Sequence, residues 1–406
     1  MNKIEPICLS TLIEESKDGE WGKGEPLPNH TEMLVIRGTA FEKLKSGSIE
    51  GIPKRYIPKA IAGRKKLQAN DILIETAGGT EDMPTGRVVF ISEKFISQNG
   101  KYEFTCASFS RFIRIDVNKA VPSFIYWYLR FLYEARISYM FHTQHTGVAR
   151  FQWTKFSNYK LFSLPDSREQ EIIASLLNCY DDFIELNNHR INLLEESARE
   201  IYKEWFVRKR FPDFQNIKFL KGAPINWEVL KVKDLVDRKK FGRTYKPHEL
   251  LINGKIVVIG QSSEDLVGYH NNLPDHTATS ETPMIIFGDH TCKMRVMIEP
   301  FSLAENVIPF SSKKNMPIYY LFFLIESLVE TTEYKRHWGE LISKEVLVAD
   351  IDLQEKYSVV VKPFFEQIEI LKSENDQLRQ IRDRFLPRLI SGKLKVKKTD
   401  KVHEQN

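Results

Sequence analysis

At 406 residues the chain is longer than one ordinary hydrophobic core supports, so two globular units with connecting parts are expected. Its 42% apolar and 28% charged residues are those of a folded chain and exclude wholesale disorder. A net charge of +5 is compatible with a polyanionic partner without establishing one, because a local patch matters more than the total.

Cys8, Cys106, Cys179 and Cys292 lie far apart with no Cys-x-x-Cys pair, which argues against a structural zinc site or a disulfide framework. The opening MNKIEPICLSTLIEES lacks the apolar core of a signal peptide, and no run of about 18 apolar residues is present. A cytoplasmic protein with reduced thiols and no membrane contact is expected.

In chain order, ICLSTLI (7–13) opens a first unit. DILIETAGG (71–79) and GRVVFI (86–91) read as strand, glycine turn and strand, and FIYWYL (124–129) as an aromatic helical segment. Pro165-Asp166-Ser167 caps a helix over about 166–210, which FPDF (211–214) ends because Pro212 cannot extend its ladder. The plan then repeats. LKVKDLV (230–236) echoes the opening, PMIIFGDHT (283–291) with RVMIEP (295–300) echoes the strand pair, and PIYYLF (317–322) echoes the aromatic helix. His145-Thr146-Gly147 is matched by His337-Trp338-Gly339, and a second helix runs over about 352–391 to Gly392 and the basic stretch KLKVKK.

From Gln170 to Gln354 is 184 residues, and at that offset Glu171 meets Glu355, Ile184 meets Ile368, Glu185 meets Glu369 and Leu194 meets Leu378. In the first helix Tyr180, Ile184, Asn187, Ile191, Leu194, Ala198, Ile201 and Trp205 alternate spacings of four and three, which is a heptad seam. Phe364, Ile368, Leu371, Asn375, Leu378, Phe385 and Leu389 follow the same rule in the second; Arg382 interrupts it, with Ile381 the expected substitute. A narrow apolar stripe must be covered, and the other copy is the nearest cover, so an antiparallel intramolecular pair is favoured over two separate surface helices or an intermolecular coiled coil. Asn187 or Asn375 in the seam would fix register. Roughly 35 paired residues at about 1.5 Å each would make a rod of order 50 Å, longer than a DNA turn of about 34 Å.

The expected fold is therefore α+β: two similar mixed domains separated by two long antiparallel helices forming a coiled coil, in a pseudo-twofold arrangement. The boundaries expected are a first domain at 1–164, a central helical region at 165–212, a second domain at 213–351, a distal helical region at 352–397 and a polar tail at 398–406.

SLPDSREQEIIASLLNCYDDFIELNNHRINLLEESAREIYKEWF (163–206) and DLQEKYSVVVKPFFEQIEILKSENDQLRQIRDRFLPRLISGKL (352–394) resemble the central and distal conserved regions of the specificity subunits of type I restriction–modification systems. ANDILIETAGGTEDMPTGRVVFI (69–91), HTGVARFQ (145–152) and INWEVLKVKDL (225–235) are similar to segments of that family's target-recognition domains. The resemblance implies a non-catalytic DNA-binding subunit, each domain reading half of a bipartite double-stranded site. It implies that the paired helices set the gap and dock two modification subunits, which carry S-adenosylmethionine and methylate adenine. A restriction subunit that translocates and cleaves DNA is an optional further partner. No cofactor or metal is expected in this chain itself.

DNA contact needs cations for phosphate and planar donors for base edges. The first-domain candidates are Arg64, Lys65, Lys66, Thr85, Arg87, His145, Arg150 and Gln152. In the second domain RKKFGRTYK (238–246) contributes Lys239, Lys240, Arg243 and Lys246, with Phe241 and Tyr245 interleaved as stacking platforms. FGDHTCKMR (287–295) adds His290, Lys293 and Arg295, and YKRHWG (334–339) adds Lys335, Arg336 and His337. Each also has a plainer explanation as a solvated charge or a core histidine.

Rival readings are weaker. A methyltransferase needs a glycine-rich cofactor loop and an Asn/Asp-Pro-Pro-aromatic motif, and neither is present. Glu333-Tyr334-Lys335 mimics one end of a nuclease motif without a well-spaced aspartate, His142-x-x-His145 alone is a weak metal signature, and no nucleophile elbow occurs. A coiled-coil scaffold with two protein-binding domains stays open; only a DNA reader would lose its ligand steeply with salt.

Overall fold

The computed structural model describes residues 5–45, 47–80, 83–144, 148–261, 266–313, 315–331, 333 and 335–396. His145, the middle of Glu333-Tyr334-Lys335, and the tail expected at 398–406 lie outside these residues. The chain divides into two compact units, one of residues 1–188 with 374–406 and the other of 189–373. The helical regions are thus parts of these units and not a body of their own.

In the first unit a four-stranded antiparallel sheet runs in the order Ile13–Asp18, Ser110–Ile115, Ile72–Glu75, Val88–Phe90. Strand periodicity gives it two buried faces. Ile72, Ile74, Val88, Ile113 and Ile115 pack toward the aromatic helix Pro122–Glu134, with Phe124 and Trp127 at its centre. Leu73, Val89 and Phe112 point the other way, against Leu34, Ile36 and Phe104 of a three-stranded sheet. In that second sheet His30–Ile36 pairs antiparallel with Lys54–Pro58 and parallel with Phe104–Cys106.

The second unit has the same plan. Its antiparallel sheet is ordered Val236–Arg238, Val307–Ser312, Met284–Gly288, Met294–Met297. Ile285, Phe287, Val296 and Phe310 face the aromatic helix Ile318–Ile325, while Ile286 and Met297 face Phe301 and Leu303 of the other sheet. There, too, a central strand (Ile256–Ile259) has one antiparallel neighbour (Leu266–His270) and one parallel neighbour (Pro300–Leu303). The duplication seen as faint sequence echoes is a duplication of strand order and pairing direction.

The central helix is Ser167–Tyr202 and the distal helix Ile351–Ile390. Both start with one device. Asp166 Oδ1 accepts the N–H of Glu169 (3.0 Å), and Asp350 Oδ1 that of Leu353 (3.0 Å). Gln170 and Gln354 are buried, and their amides donate to the carbonyls of Pro165 (2.8 Å) and Ala349 (2.7 Å). Gln170 Oε1 also accepts the N–H of Val121, the residue capping the aromatic helix (2.9 Å). Gln354 Oε1 has no hydrogen-bond donor among the described residues, and the residue capping the second aromatic helix is Pro317, which has no N–H. A tyrosine of each aromatic helix completes the join: Ser163 N–H donates to the Tyr128 hydroxyl (3.2 Å) and Ala349 N–H to that of Tyr320 (2.9 Å).

Two sequence expectations about these helices need correction. The central helix ends before Pro212: it widens into a π turn over Lys203–Val207, and Lys209 takes a left-handed φ of 59°. Ile381 does not replace Arg382. Ile381 is 40% exposed, whereas Arg382 is 7% exposed in the seam, its guanidinium paired with Asp181 and with Asp383 (2.8 Å). A cation is tolerated there because carboxylates neutralise it on the spot.

The helices pair antiparallel in each unit. In the first, Tyr180 packs near Phe385 (ring centroids 6.4 Å apart), Asp181 meets Arg382, and Asn187 meets Asn375. In the second, Ile191 and Leu194 pack with Ile368 and Leu371, and the Tyr357 hydroxyl donates to the Ala198 carbonyl (3.0 Å). Among the described residues, no helix is long and apolar enough to cross a membrane. Replacing Gln170 with Ala leaves the Val121 N–H and the Pro165 carbonyl without their partner. The thermal midpoint, read by scanning calorimetry, is expected to fall by about 3–10 °C, whereas Ala at exposed Gln380 leaves it unchanged.

Candidate nucleic-acid interface

In the first domain the strand Ile72–Glu75 runs into the turn that begins at Thr76 and returns at Val88. Backbone bonds tie this turn to the short hairpin His142–Thr143 with Arg150–Phe151: Gly78 N–H to Ala149 O (3.1 Å) and Phe151 N–H to Thr76 O (2.8 Å). The Thr85 N–H donates to His142 Nδ1 (3.1 Å), and the Thr85 hydroxyl lies 3.0 Å from the same nitrogen. Two stretches singled out separately in the sequence therefore meet. Gly79 is needed for the closure, since a Cβ there would lie 2.6 Å from the Thr85 nitrogen.

The placement separates contact residues from supporting ones. Arg150 is exposed on the hairpin, and Gln152 is half-buried at the start of the helix Trp153–Ser157. Thr85 is fully buried, and Arg87 holds Glu75 through two nitrogens at 2.9 and 2.7 Å. Its hydrogen bonds to Glu75 raise the Arg87 pKa above the usual arginine value, against the opposing effect of burial. The expectation of direct DNA contact is revised for both: they brace the turn. Arg64, Lys65 and Lys66 lie at the end of a separate helix. Arg64 Nε donates to Ala60 O (3.0 Å), Lys65 Nζ to Gly19 O (3.0 Å), and Lys66 pairs with Glu103 (2.7 Å).

The second domain puts a turn in the same place. After Met284–Gly288, residues 289–293 lead into Met294–Met297. Asp289 Oδ1 accepts the N–H groups of His337 (3.1 Å) and Trp338 (2.9 Å), fixing the turn against the helix Trp338–Ser343. His290 Nδ1 lies 3.0 Å from the Lys335 carbonyl oxygen. Lys293, Lys335 and Arg336 are exposed around this join, Arg336 Nε being 3.9 Å from Asp289.

Three expectations change here. His337 is fully buried, its ring between the Glu333 carbonyl (3.3 Å) and Glu340 (3.4 Å), and the hydrogen bond from His337 holds the Glu340 carboxyl below its usual pKa. Arg295 turns away from the loop to Glu369 of the distal helix (3.5 Å). Phe241 and Tyr245 are not stacking platforms: Phe241 packs between the sheets, and Tyr245 is buried on His270, with centroids 4.2 Å apart. Around them Lys239 pairs with Asp237 (2.5 Å) and Arg243 with Glu249, while Lys240 and Lys246 are exposed.

The sequence reading missed the apolar part of the first surface. Phe109 is 55% exposed, and its carbonyl accepts the N–H groups of Thr76 (2.8 Å) and Ala77 (3.2 Å) at the base of the turn. Met83 and Val148 are exposed on the turn and the hairpin. The available signal was an aromatic flanked by serines, Ser108-Phe109-Ser110, just before a strand. Among the described residues no His, Cys, Asp and Glu cluster could hold a metal ion. Thr85→Val is expected to cost about 1–2 kcal/mol and to speed amide exchange in the 142–151 hairpin, measured by hydrogen–deuterium exchange.

A family model described as the type I restriction modification DNA specificity domain matches residues 59–196. The chain is similar to the type I restriction enzyme MjaIX specificity subunit of Methanocaldococcus jannaschii, 23% identical over 66% of this chain and 69% of the relative. It is similar as well to the putative MjaX specificity subunit of the same organism, 22% identical over 96% of this chain and 93% of the relative. The crystal structure of a type I restriction–modification S subunit from M. genitalium shares the fold, with a TM-score of 0.53 at 17% identity, covering 96% of this chain and 97% of that one.

Proposed function

Because the chain belongs to the specificity subunits of type I restriction–modification systems, we propose that each of its two domains reads one half of a split DNA site through the turn after the second strand of its sheet. The observation that carries this reading is positional. Two domains with one strand order each present an exposed turn at the same place, tied to a second segment, but with different side chains. Around the first stand Phe109, Val148 and Arg150, and around the second Lys293, Lys335 and Arg336. A shared scaffold with unlike tips suits two unlike half-sites, since phosphate contacts position while base-edge contacts specify.

In this reading the chain performs no bond-making step. Its side chains neutralise phosphate and select bases, while methyl transfer from S-adenosylmethionine to adenine belongs to the modification subunits, and the paired helices fix the gap between half-sites. The docking patches proposed for those subunits are apolar and lie outside the seam, one in each unit: Leu176, Phe183 and Leu186 of the central helix in the first, and Leu193 of the central helix with Val360 and Ile370 of the distal one in the second. Val360 and Ile370 are the 184-residue repeats of Leu176 and Leu186, whereas Phe183 and Leu193 are matched by Gln367 and Gln377, so the patches are duplicated in part.

The test is co-expression with a modification subunit and single-molecule mapping of methyladenine. A split motif is expected, and exchanging residues 1–164 for another recognition domain should change one half of it. A change in both halves, or methylation by the chain alone, would overturn the proposal. Phe183→Asp is expected to weaken capture of the modification subunit at least tenfold in a pull-down, without shifting the thermal midpoint by more than a degree or two.

A further inference from the structure

The seam between the two long helices is built unevenly. In the first unit two of its layers are polar, beside the Tyr180–Phe385 contact. Asn187 Nδ2 donates to Asn375 Oδ1 (3.1 Å), Asn375 Nδ2 donates to Asn188 Oδ1 (2.9 Å), and buried Arg382 is neutralised by Asp181. In the second unit the layers are apolar: Ile191 and Leu194 with Ile368 and Leu371, followed by Ala198 against Tyr357.

The 184-residue repeat puts these two stretches in correspondence. Leu371 is the repeat of Asn187, and Asn375 is the repeat of Ile191. Phe365 is the repeat of Asp181, and Arg382 is the repeat of Ala198. Asn187, Asn375, Asp181 and Arg382 thus each have an apolar counterpart in the other helix, while Asn188 is matched by Lys372. The polar groups meet one another only when a central helix pairs with a distal one.

Pairing two copies of the same helix gives a mismatch at every such layer. Two central helices in the observed register would set Asn187 against Ile191 twice and leave Asp181 beside Ala198. Two distal helices would set Asn375 against Leu371 and Arg382 beside Phe365. In each case a buried asparagine amide loses its cross-helix partner, while Arg382 keeps only Asp383 of its own helix and Asp181 only Arg130 of its own domain (3.7 Å), so same-helix pairing forfeits bonds that the observed pairing makes.

The contacts from the domains repeat the logic in charge. Arg130 of the first aromatic helix pairs with Asp383 of the distal helix (3.3 Å). Glu326 of the second aromatic helix pairs with Arg199 of the central helix (2.8 Å). Arg199 and Asp383 are repeats of one another. A central–central pair would therefore bring Arg199 to Arg130, and a distal–distal pair would bring Asp383 to Glu326.

We propose that the seam is keyed to a single partner: the central helix accepts the distal helix of this chain and rejects a second copy of itself, and the distal helix does the same. The key consists of the Asn187–Asn375 and Asp181–Arg382 layers with the charge-inverted Arg130–Asp383 and Glu326–Arg199 pairs. It acts whatever the domains bind.

The experiment starts from the folded full chain carrying a protease site between Gln215 and Lys218, in the stretch that follows the central helix. The chain is cut while folded, mixed with a mass-tagged cut sample, unfolded in denaturant, refolded and weighed by native mass spectrometry. Central–distal pairs are expected in at least tenfold excess over same-helix pairs, and the excess should collapse in Asn187→Leu/Asn375→Leu combined with Arg130→Glu. A statistical mixture from the unaltered chain would overturn the proposal. A measurement on the uncut chain stands whether or not the pieces refold. Asn187→Leu and Asn375→Leu should each lower the thermal midpoint, and the double substitution should restore or exceed it; losses that simply add would overturn the matching.

Discussion

Covering a narrow apolar stripe on a helix of 36 residues is the constraint from which the architecture follows. Such a helix is not stable in water by its own backbone bonds, because most helical stability in proteins comes from packing an amphipathic face. Here the cover is a second helix of 40 residues supplied by the same chain. Each unit is then completed by both helices: the first core includes Ile173 and Leu177 of the central helix together with Leu386 and Leu389 of the distal one. The second core includes Ala198 and Phe206 with Tyr357 and Val361. Neither half of the sequence holds a whole core, so folding of the recognition domains is tied to closure of the seam.

A duplicated scaffold creates a problem that a unique one does not have, because every interface between its halves is also a candidate interface between copies. Uneven placement of polar layers solves it at some cost in stability, as a single buried asparagine does in coiled coils. In DNA recognition the benefit is plain. Two identical readers on one spacer would demand a symmetric target, whereas two different ones can hold an asymmetric site.

How much could be read in advance follows from the distance over which each feature is decided. The long helices, their caps and the strand–turn–strand pairs are set by near neighbours, so heptad spacing, Asp166 with Gln170, and DILIETAGG were legible. The candidate surface was less so, because the fate of each side chain depends on remote partners. Thr85 is claimed by His142 and Arg295 by Glu369, and no local pattern distinguishes them from exposed Arg150 or Lys293. Arg382 is the sharpest case. It looked like a break in the seam, and it becomes part of the seam through Asp181 on the other helix.

The proline that caps the second aromatic helix leaves the distal helix with a lighter mooring than its twin. Gln170 grips its domain with both ends of its amide, while Gln354 can use only one, since the ring nitrogen of Pro317 offers no hydrogen. Parting the distal join therefore breaks one hydrogen bond of its glutamine amide, where parting its twin breaks two.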